Sequence, residues 1–207
     1  MIAIIDYDAG NVKSVEKALT ALGEAVVITR DREKILCAEK VILPGVGAFG
    51  DAMEKLRGYQ LEEVIKEVIA KKTPFMGICL GLQLLFESSE ETPGVQGLGI
   101  LKGKVIKIPD DTGLKVPQIG WNSLKFPTRG RLFAGVAEES YVYFVHSYYL
   151  QAEEPEIVTA ATEYVVPIHA SVEKDNVFAC QFHPEKSSDV GLQILKNFVA
   201  LQDGGKE

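Results

Sequence analysis

Short apolar runs alternate with helical patterns over the first half of the chain, and this alternation limits the possible folds most strongly. The runs "IAIID", "AVVITR", "KVILP" and "FMGI" are rich in β-branched residues. The segment "LEEVIKEVIAKK" has a 3.6-residue period that places its apolar residues on one stripe. Strands that alternate with amphipathic helices are typical of βαβ units. We therefore predict an α/β fold with a three-layer, doubly wound and mainly parallel sheet.

The second half of the chain has a different character. The segments "ILKGKVIKI", "YVYFVHSYY", "IVTAATEY" and "VFACQF" resemble strands, and little helix is expected before "GLQILKNFVALQ". These strands are predicted to add antiparallel pairs to the parallel sheet. The 207 residues suffice for one well-filled core, so we predict a single domain over residues 1–207. The last five residues, "DGGKE", are expected to fray.

Charge and composition exclude several classes of partner. The formal net charge is −7 and no Lys/Arg-rich run is present, which argues against a nucleic-acid partner. No basic leader precedes "MIAIID" and no window approaches 18 apolar residues, so we expect no membrane association and a cytoplasmic location. Three cysteines without CxxC spacing suggest neither a disulfide framework nor a zinc site, and we expect no metal and no cofactor.

The segment "PFMGICLGLQ" places Cys79 between a predicted strand and a predicted helix, with Gly77 and Gly81 two residues away on either side. A sharp strand-to-helix turn at a nucleophile needs small residues at these positions, as in the G-x-S-x-G pattern. The start of the helix would favour a thiolate at Cys79, and the N–H of Leu80 would face a developing oxyanion. A buried cysteine with incidental glycine neighbours is the alternative explanation.

A nucleophilic cysteine requires a base, and the chain offers three histidines. His169 has no acid placed to orient it, and His146 ends an aromatic strand that has no carboxylate nearby in sequence. His183 lies in "CQFHPEKSS", where Glu185 follows two residues later. In an extended chain these two side chains point to the same side, so we predict a Cys79, His183 and Glu185 triad.

The glycine-rich segment "LPGVGAFGDAM" follows the predicted strand "KVIL". Its backbone amides are expected to complete an oxyanion hole together with the N–H of Leu80. A phosphate-binding loop is excluded because no GK[ST] follows the glycines.

Two other classes of function remain open on the residues alone. An α/β-type cysteine hydrolase acting on a peptide or ester would turn over without a partner and would ignore glutamine. A redox module would use Cys79 as an oxidant sensor, and His183→Ala would then change nothing catalytic.

The motifs "PGVG", "GICLGLQ" and "HPEKS", in this order, resemble those of the class I, or triad, glutamine amidotransferases, and the resemblance covers essentially the whole chain. Within that family, "PGVGAFGDAM", "PQIGWN" and "YFVHSYY" resemble the glutaminase subunits of imidazole glycerol phosphate synthase, a branch that acts in histidine biosynthesis. Many relatives carry Gly-Gly where this chain has Gly45-Val46, a departure that fits this branch. Another glutaminase of the same fold with a different synthase is the nearest alternative.

The resemblance implies that L-glutamine is the substrate. Cys79 would attack its side-chain amide, His183 would take the thiol proton and pass it to the leaving ammonia, and Glu185 would orient His183. Water would then hydrolyse the glutamyl thioester. The positions that match the family's glutamine contacts are Gly47, Gln83, Ser147 and Tyr148. Gln83 has a second interpretation, in which it only braces the loop after Cys79.

The resemblance also implies a partner, a (β/α)8-barrel cyclase subunit that forms a heterodimer with this chain and uses the released ammonia. We expect the docking face near the turn at Cys79 and assign to it Trp121, Asn122, Tyr143 and Lys186. A core position for Trp121 is the alternative.

Val46 suggests a mechanistic hypothesis. If the second oxyanion-hole amide belongs to Val46, reorienting its peptide demands a conformation that a β-branched residue resists. The isolated subunit would then rest with an incomplete hole and would be activated by its partner and the partner's ligand.

Overall fold

A computed structural model describes residues 1–8, 10–110 and 113–202 of the protein. The predicted frayed segment, 203–207, lies outside these residues.

Among the residues described, ten strands form one mixed sheet and two more form a separate hairpin. The strands are β1 (Ile2–Ile5), β2 (Val26–Thr29), β3 (Lys40–Gly45), β4 (Phe75–Cys79), β5 (Ser88–Ser89), β6 (Gly103–Lys107), β7 (Gln118–Ser123), β8 (Tyr141–His146), β9 (Tyr148–Ala152), β10 (Val158–Tyr164), β11 (Val166–Lys174) and β12 (Val177–Cys180). The large sheet has the order β2-β1-β3-β4-β12-β11-β9-β6-β5, with β10 paired to β11, while β7 and β8 form the hairpin. Strands β2 to β12 in this order pair in parallel, and β12 pairs antiparallel with β11. The predicted parallel sheet with added antiparallel strands is confirmed.

Helices cover both faces of the parallel part. They are α1 (Val12–Ala21), α2 (Arg32–Leu36), α3 (Phe49–Gly58), α4 (Leu61–Ala70), α5 (Leu80–Leu84) and α6 (Ser188–Val199). The 3-10 turns span Arg131–Phe133, Pro155–Ile157 and Pro184–Lys186. One apolar cluster joins α2, α3, α4 and α5 to one face of the sheet, and a second joins α1 and α6 to the other face. The result is the predicted three-layer arrangement.

The strand residues explain why both faces are covered. In β3, Val41 and Leu43 enter the first cluster and Ile42 enters the second, and all three side chains are fully buried. A parallel strand buried on both faces has a continuous apolar run rather than an alternating one, as "KVILP" does. The apolar stripe predicted for α4 is also confirmed, with Leu61 and Val68 among its buried residues.

Two local predictions were wrong. The segment "LGLQLLFE" is helical only to Leu84, because the carbonyls of Leu84, Leu85 and Phe86 accept hydrogen bonds from the loop at 98–101 instead of continuing the helix. The segment "YVYFVHSYY" forms two strands, β8 and β9, which join different sheets. The glycine-rich segment after β3 enters helix α3 at Phe49, and Gly50 packs there against Thr92.

The sheet topology fixes where a site can form. Because β1, β3, β4 and β12 run in parallel, their carboxyl ends meet at one edge of the sheet, where ligands of α/β proteins usually bind. The segments that follow these strands begin at Asp6, Val46, Leu80 and Gln181. In the part of the chain described, no helix combines the length and the apolarity needed to cross a bilayer.

Candidate active site

Cys79 lies at a strained turn between β4 and α5. Its backbone has φ 54° and ψ −111°, outside the regions that non-glycine residues ordinarily adopt. Such strain is found at functional positions and persists only where the surroundings enforce it. The sharp strand-to-helix turn that the sequence predicted is confirmed. Helix α5 has only five residues, so its dipole is smaller than expected.

The two glycines near Cys79 allow close backbone contacts. A Cβ on Gly77 would lie 2.6 Å from the carbonyl oxygen of Gly81, which is the predicted collision between strand and helix. A Cβ on Gly81 would instead clash with the carbonyl oxygen of Leu43 in β3. The turn is therefore enclosed by β3 as well as by its own strand.

His183 and Glu185 meet directly after β12. His183 Nδ1 lies 2.7 Å from Glu185 Oε1, and both side chains are almost completely buried. The chain does not remain extended here, contrary to the reasoning from sequence. Pro184 begins a 3-10 turn, closed by a 3.0 Å hydrogen bond from the N–H of Lys186 to the carbonyl of His183. This turn brings the carboxylate to the imidazole.

The electrostatics of His183 favour a bound proton. Burial opposes the charged form, but interactions with Cys79 and Glu185 outweigh it and raise the pKa of His183 to about 9. Nε2 of His183 is buried and makes no hydrogen bond in this structure, to Cys79 or to any other group. The imidazole is therefore a strong base, and a proton that Nε2 takes up from the Cys79 thiol is held firmly.

Asn11 is a contact of this pair that the sequence reasoning missed. Its side-chain amide donates to Glu185 Oε1 and lies 3.4 Å from His183 Nδ1. Asn11 has φ 76° and precedes α1, in the loop after β1. Because parallel strands end at one edge of the sheet, the loop after β1 is expected near the site. A side-chain amide in that loop was therefore a candidate contact for His183 and Glu185.

A cavity of about 290 Å³ opens at Cys79. It is lined by Val46, Gly47, Cys79, Leu80, Gln83, Glu91, Pro117, Val145, His146, Ser147 and Tyr148. The structure thus brings together all the residues predicted for the oxyanion hole and for glutamine binding, beside the sulfur. Glu91 was missed. One of its carboxylate oxygens accepts a 2.8 Å hydrogen bond from the N–H of Phe49, and no short sequence motif marks it.

Two buried glutamines connect the cavity to the sulfur. Gln83 Nε2 donates to the carbonyl of Tyr148 at 3.1 Å and to Gln181 Oε1 at 3.0 Å. Gln181 Nε2 in turn lies 3.7 Å from Cys79 Sγ, within range of a hydrogen bond to sulfur. Gln181 was also missed, although it stands two residues before His183. Since both amide hydrogens of Gln83 are engaged, its Oε1 remains the free polar atom.

His146 lies in the cavity wall as a neutral imidazole. Burial lowers its pKa to about 4. In the neutral ring Nδ1–H donates to the carbonyl of Tyr148 at 2.9 Å, and Nε2 lies 3.0 Å from the side-chain amide of Gln118, whose NH2 group is the one that can donate to it. With both nitrogens engaged, His146 supports the cavity wall and is not a second base.

The other histidine and cysteines lie outside this cluster. His169 Nδ1 accepts a 3.2 Å hydrogen bond from the N–H of Ala152 within the sheet. All three cysteines are free thiols. Burial raises the pKa of Cys180 well above its ordinary value, as expected for a packing residue. Cys37 is exposed.

The hairpin of β7 and β8 exposes aromatic surface near the cavity. The side chain of Trp121 is 52% exposed and meets the ring of Tyr143 edge-on at 6.1 Å, which excludes a core position. Lys186 is also exposed. Asn122 differs, because its amide donates to the carbonyl of Glu163 and its oxygen accepts from Ser123, so its polar atoms serve the hairpin itself.

Within residues 1–8, 10–110 and 113–202, no group of three or more His, Cys, Asp or Glu side chains is arranged to hold a metal ion. The clustered polar groups are a thiol, an imidazole, carboxylates and amides. This donor set suits acyl transfer by a nucleophilic cysteine.

Comparison with known proteins gives a consistent result. The sequence model of the class I glutamine amidotransferases matches residues 3–201. An imidazole glycerol phosphate synthase subunit HisH from Methanocaldococcus jannaschii is 50% identical over 97% of this chain and 100% of that relative. The HisH subunit from Moorella thermoacetica is 52% identical over 97% of this chain and 94% of that relative.

Solved structures agree on the fold. A crystal structure of a glutamine amidotransferase has a TM-score of 0.74 at 20% identity, covering 97% of this chain and 100% of that one. PurLQS from Thermotoga maritima has a TM-score of 0.72 at 20% identity and 96% coverage of both chains. With the match to the family over nearly the whole length, the chain belongs to the class I glutamine amidotransferases and, among them, to the HisH subunits of imidazole glycerol phosphate synthase.

Proposed function

We propose that the chain is the glutaminase subunit of an imidazole glycerol phosphate synthase. It hydrolyses L-glutamine to glutamate and ammonia, and the ammonia passes to a cyclase subunit that makes imidazole glycerol phosphate and aminoimidazole carboxamide ribotide in histidine biosynthesis. The observation that carries this proposal is the position of Cys79. Its strained turn lies at the mouth of a cavity, beside a buried imidazole that is hydrogen-bonded to a carboxylate.

The chemistry follows from these three side chains. The thiol proton of Cys79 passes first to Nε2 of His183, and the sulfur then attacks the side-chain amide carbon of glutamine. Collapse of the tetrahedral intermediate breaks the C–N bond, and His183 returns the proton to the departing ammonia. Glu185 holds Nδ1 and thereby directs Nε2 towards the reacting atoms. Water then attacks the thioester, which releases glutamate and restores the thiol.

The negative oxygen of each tetrahedral intermediate requires N–H donors. We assign these to Leu80 and Val46, both in the cavity wall. Leu80 is the first residue of α5, so its N–H has no partner within the helix. Val46 has a negative φ and a side chain that is 38% exposed, consistent with a hole that the free subunit leaves incomplete.

Glutamine is proposed to lie against Gly47, Gln83, Ser147 and Tyr148. The free Oε1 of Gln83 suits a donor group of the substrate, such as its ammonium. We therefore assign Gln83 to substrate binding. Its amide hydrogens also brace the loop after Cys79.

Free ammonia is useful only if it reaches its acceptor. We propose that a (β/α)8-barrel cyclase docks over the edge of the sheet that carries Cys79, with Trp121 as an anchor and with Tyr143 and Lys186 beside it. Asn122 was assigned to this face as well, and we retain it as a residue that shapes the hairpin.

A thioester trap tests the proposal. With glutamine, hydroxylamine and the cyclase subunit present, the wild-type chain is expected to form γ-glutamyl hydroxamate, because hydroxylamine intercepts the acyl group on Cys79. Cys79→Ala should form none, and Cys37→Ala, which alters an exposed thiol outside the cavity, should match wild type. Hydroxamate formation that survives in Cys79→Ala would refute the proposed nucleophile.

A further inference from the structure

We propose that Tyr7 is a positioning residue for the oxyanion hole. Its hydroxyl donates a hydrogen bond to the carbonyl of Gly45 when the Gly45–Val46 peptide turns its N–H towards the substrate. The inference rests on the proposed function, because it concerns the state in which the hole is complete.

The hydroxyl of Tyr7 has no partner in the resting structure. The side chain is fully buried, in the same apolar cluster as Leu43 and Leu80. Its Oη atom makes no hydrogen bond. A buried hydroxyl without a partner costs about 1–3 kcal/mol, and such groups are rare in folded proteins. Phenylalanine would fill the same space without that cost.

The location of the hydroxyl is specific. A Cβ on Gly45 would clash with Tyr7 Oη, and the same Cβ would lie 3.1 Å from Leu80 Cβ and 3.3 Å from the N–H nitrogen of Gly81. Gly45 is in register with Cys79 in the parallel pair of β3 and β4. The unpaired hydroxyl therefore lies next to Gly45, where the segment that carries Val46 contacts the segment that carries Leu80.

The Tyr7 hydroxyl can serve as the hydrogen-bond donor that the Gly45 carbonyl requires after the peptide rotates. In the planar trans peptide between Gly45 and Val46, the Val46 N–H and the Gly45 carbonyl point in opposite directions. Rotation that turns the N–H into the cavity turns the carbonyl away from it, towards the protein, where it needs a donor. In the portion of the chain that the structure describes, Tyr7 is the buried side chain with an unpartnered hydroxyl, and it lies against Gly45.

This role predicts that Tyr7→Phe changes catalysis and stability in opposite directions. In the resting state, Tyr7→Phe removes a polar group that has no partner, so the free energy of unfolding should stay the same or rise. In the active state, the same substitution removes the donor for the Gly45 carbonyl, so the complete hole becomes less populated. A side chain that merely packs would not produce these opposite effects.

The experiment measures glutamine hydrolysis by the chain in complex with the cyclase subunit and its nucleotide, together with urea unfolding of the free chain. Tyr7→Phe is expected to lower kcat about tenfold, the effect of one lost hydrogen bond, with KM within twofold of wild type. Its unfolding free energy should equal or exceed that of wild type. Tyr164→Phe is the matched control, because that hydroxyl donates to the carbonyl of Lys115 at 2.7 Å. It should lose stability and keep its kcat.

Three results would overturn the inference alone. These are a Tyr7→Phe variant with the kcat of wild type, one in which kcat and stability fall together, and one in which KM rises at unchanged kcat. If the wild-type complex itself did not hydrolyse glutamine, the proposed function would fail, and the role of Tyr7 would fail with it.

Discussion

His183 binds its proton more tightly in the folded protein than an exposed histidine does. Burial alone would release the proton, but Cys79 and Glu185 reverse that effect and raise the pKa from 6.5 to about 9. The charged imidazole therefore also stabilises the fold. This contribution is complete below pH 6.5, the ordinary value, and disappears as the pH rises through about 9.

We predict that wild type loses its stability advantage over His183→Asn as the pH rises from 6.5 to 9.5. The loss should be about 3 kcal/mol. Urea unfolding of both proteins across this range measures it, and groups that titrate equally in both cancel. A difference that is constant, or that grows with pH, would contradict the raised pKa.

Val46 is predicted to keep the isolated subunit at low activity. Val46→Gly should raise glutamate release without the partner about tenfold, since glycine adopts the rotated peptide conformation without steric cost. Val46→Ala, which removes the branching but keeps a Cβ, should give a smaller rise. Equal partner-free activity in wild type and Val46→Gly would refute the hypothesis.

The turn between β4 and α5 depends on close packing with β3. A Cβ on Gly81 would clash with the backbone carbonyl of Leu43, which no side-chain rotation relieves. We predict that Gly81→Ala lowers the free energy of unfolding by about 1–3 kcal/mol. Gly58→Ala is the control, because nothing lies within 4 Å of the added methyl at that helix end. Denaturant unfolding that finds the two variants equally stable would refute this account of the turn.

The individual elements show what local sequence can predict. The strands β1, β3 and β4 and the helix α4 follow from their apolar patterns, since burial on both faces or on one stripe is visible in a short window. The early end of α5 is not visible there, because it depends on hydrogen bonds to residues more than ten positions away. The break at Ser147 depends on which sheet each half joins, and an alternating pattern does not specify a partner strand.

In the site, too, residues in short motifs were predictable and contacts between distant segments were not. Short motifs contain Cys79, His183 and Glu185, so the sequence alone predicted that these side chains meet. Tyr7 and Asn11 reach the site from the loop after β1, and Gln181 reaches it from the segment after β12. Their contacts depend on the order of strands in the sheet, which residue spacing does not encode.

The whole molecule places the proposed catalytic side chains and the exposed aromatic pair on neighbouring elements. Strands β1, β3, β4 and β12 bring the proposed triad and the proposed oxyanion-hole donors to one edge of the sheet. Strand β8, which carries Tyr143 of the aromatic pair, is linked to the turn after β12. The N–H of His183 donates to the carbonyl of Tyr143 at 3.0 Å, and the N–H of Tyr143 donates to Ser187 Oγ at 2.9 Å. A partner seated on this hairpin would therefore press on the segment that carries the base.

We propose that this chain hydrolyses glutamine in response to its partner. The most direct measurement is glutamate release from glutamine by wild type and Cys79→Ala, with and without the cyclase subunit and its nucleotide. We predict that the partner and nucleotide raise the wild-type rate about a hundredfold, the effect of completing an oxyanion hole, and that Cys79→Ala stays inactive throughout. A wild-type rate that is the same with and without the cyclase, or no glutamate release under any condition, would contradict the account.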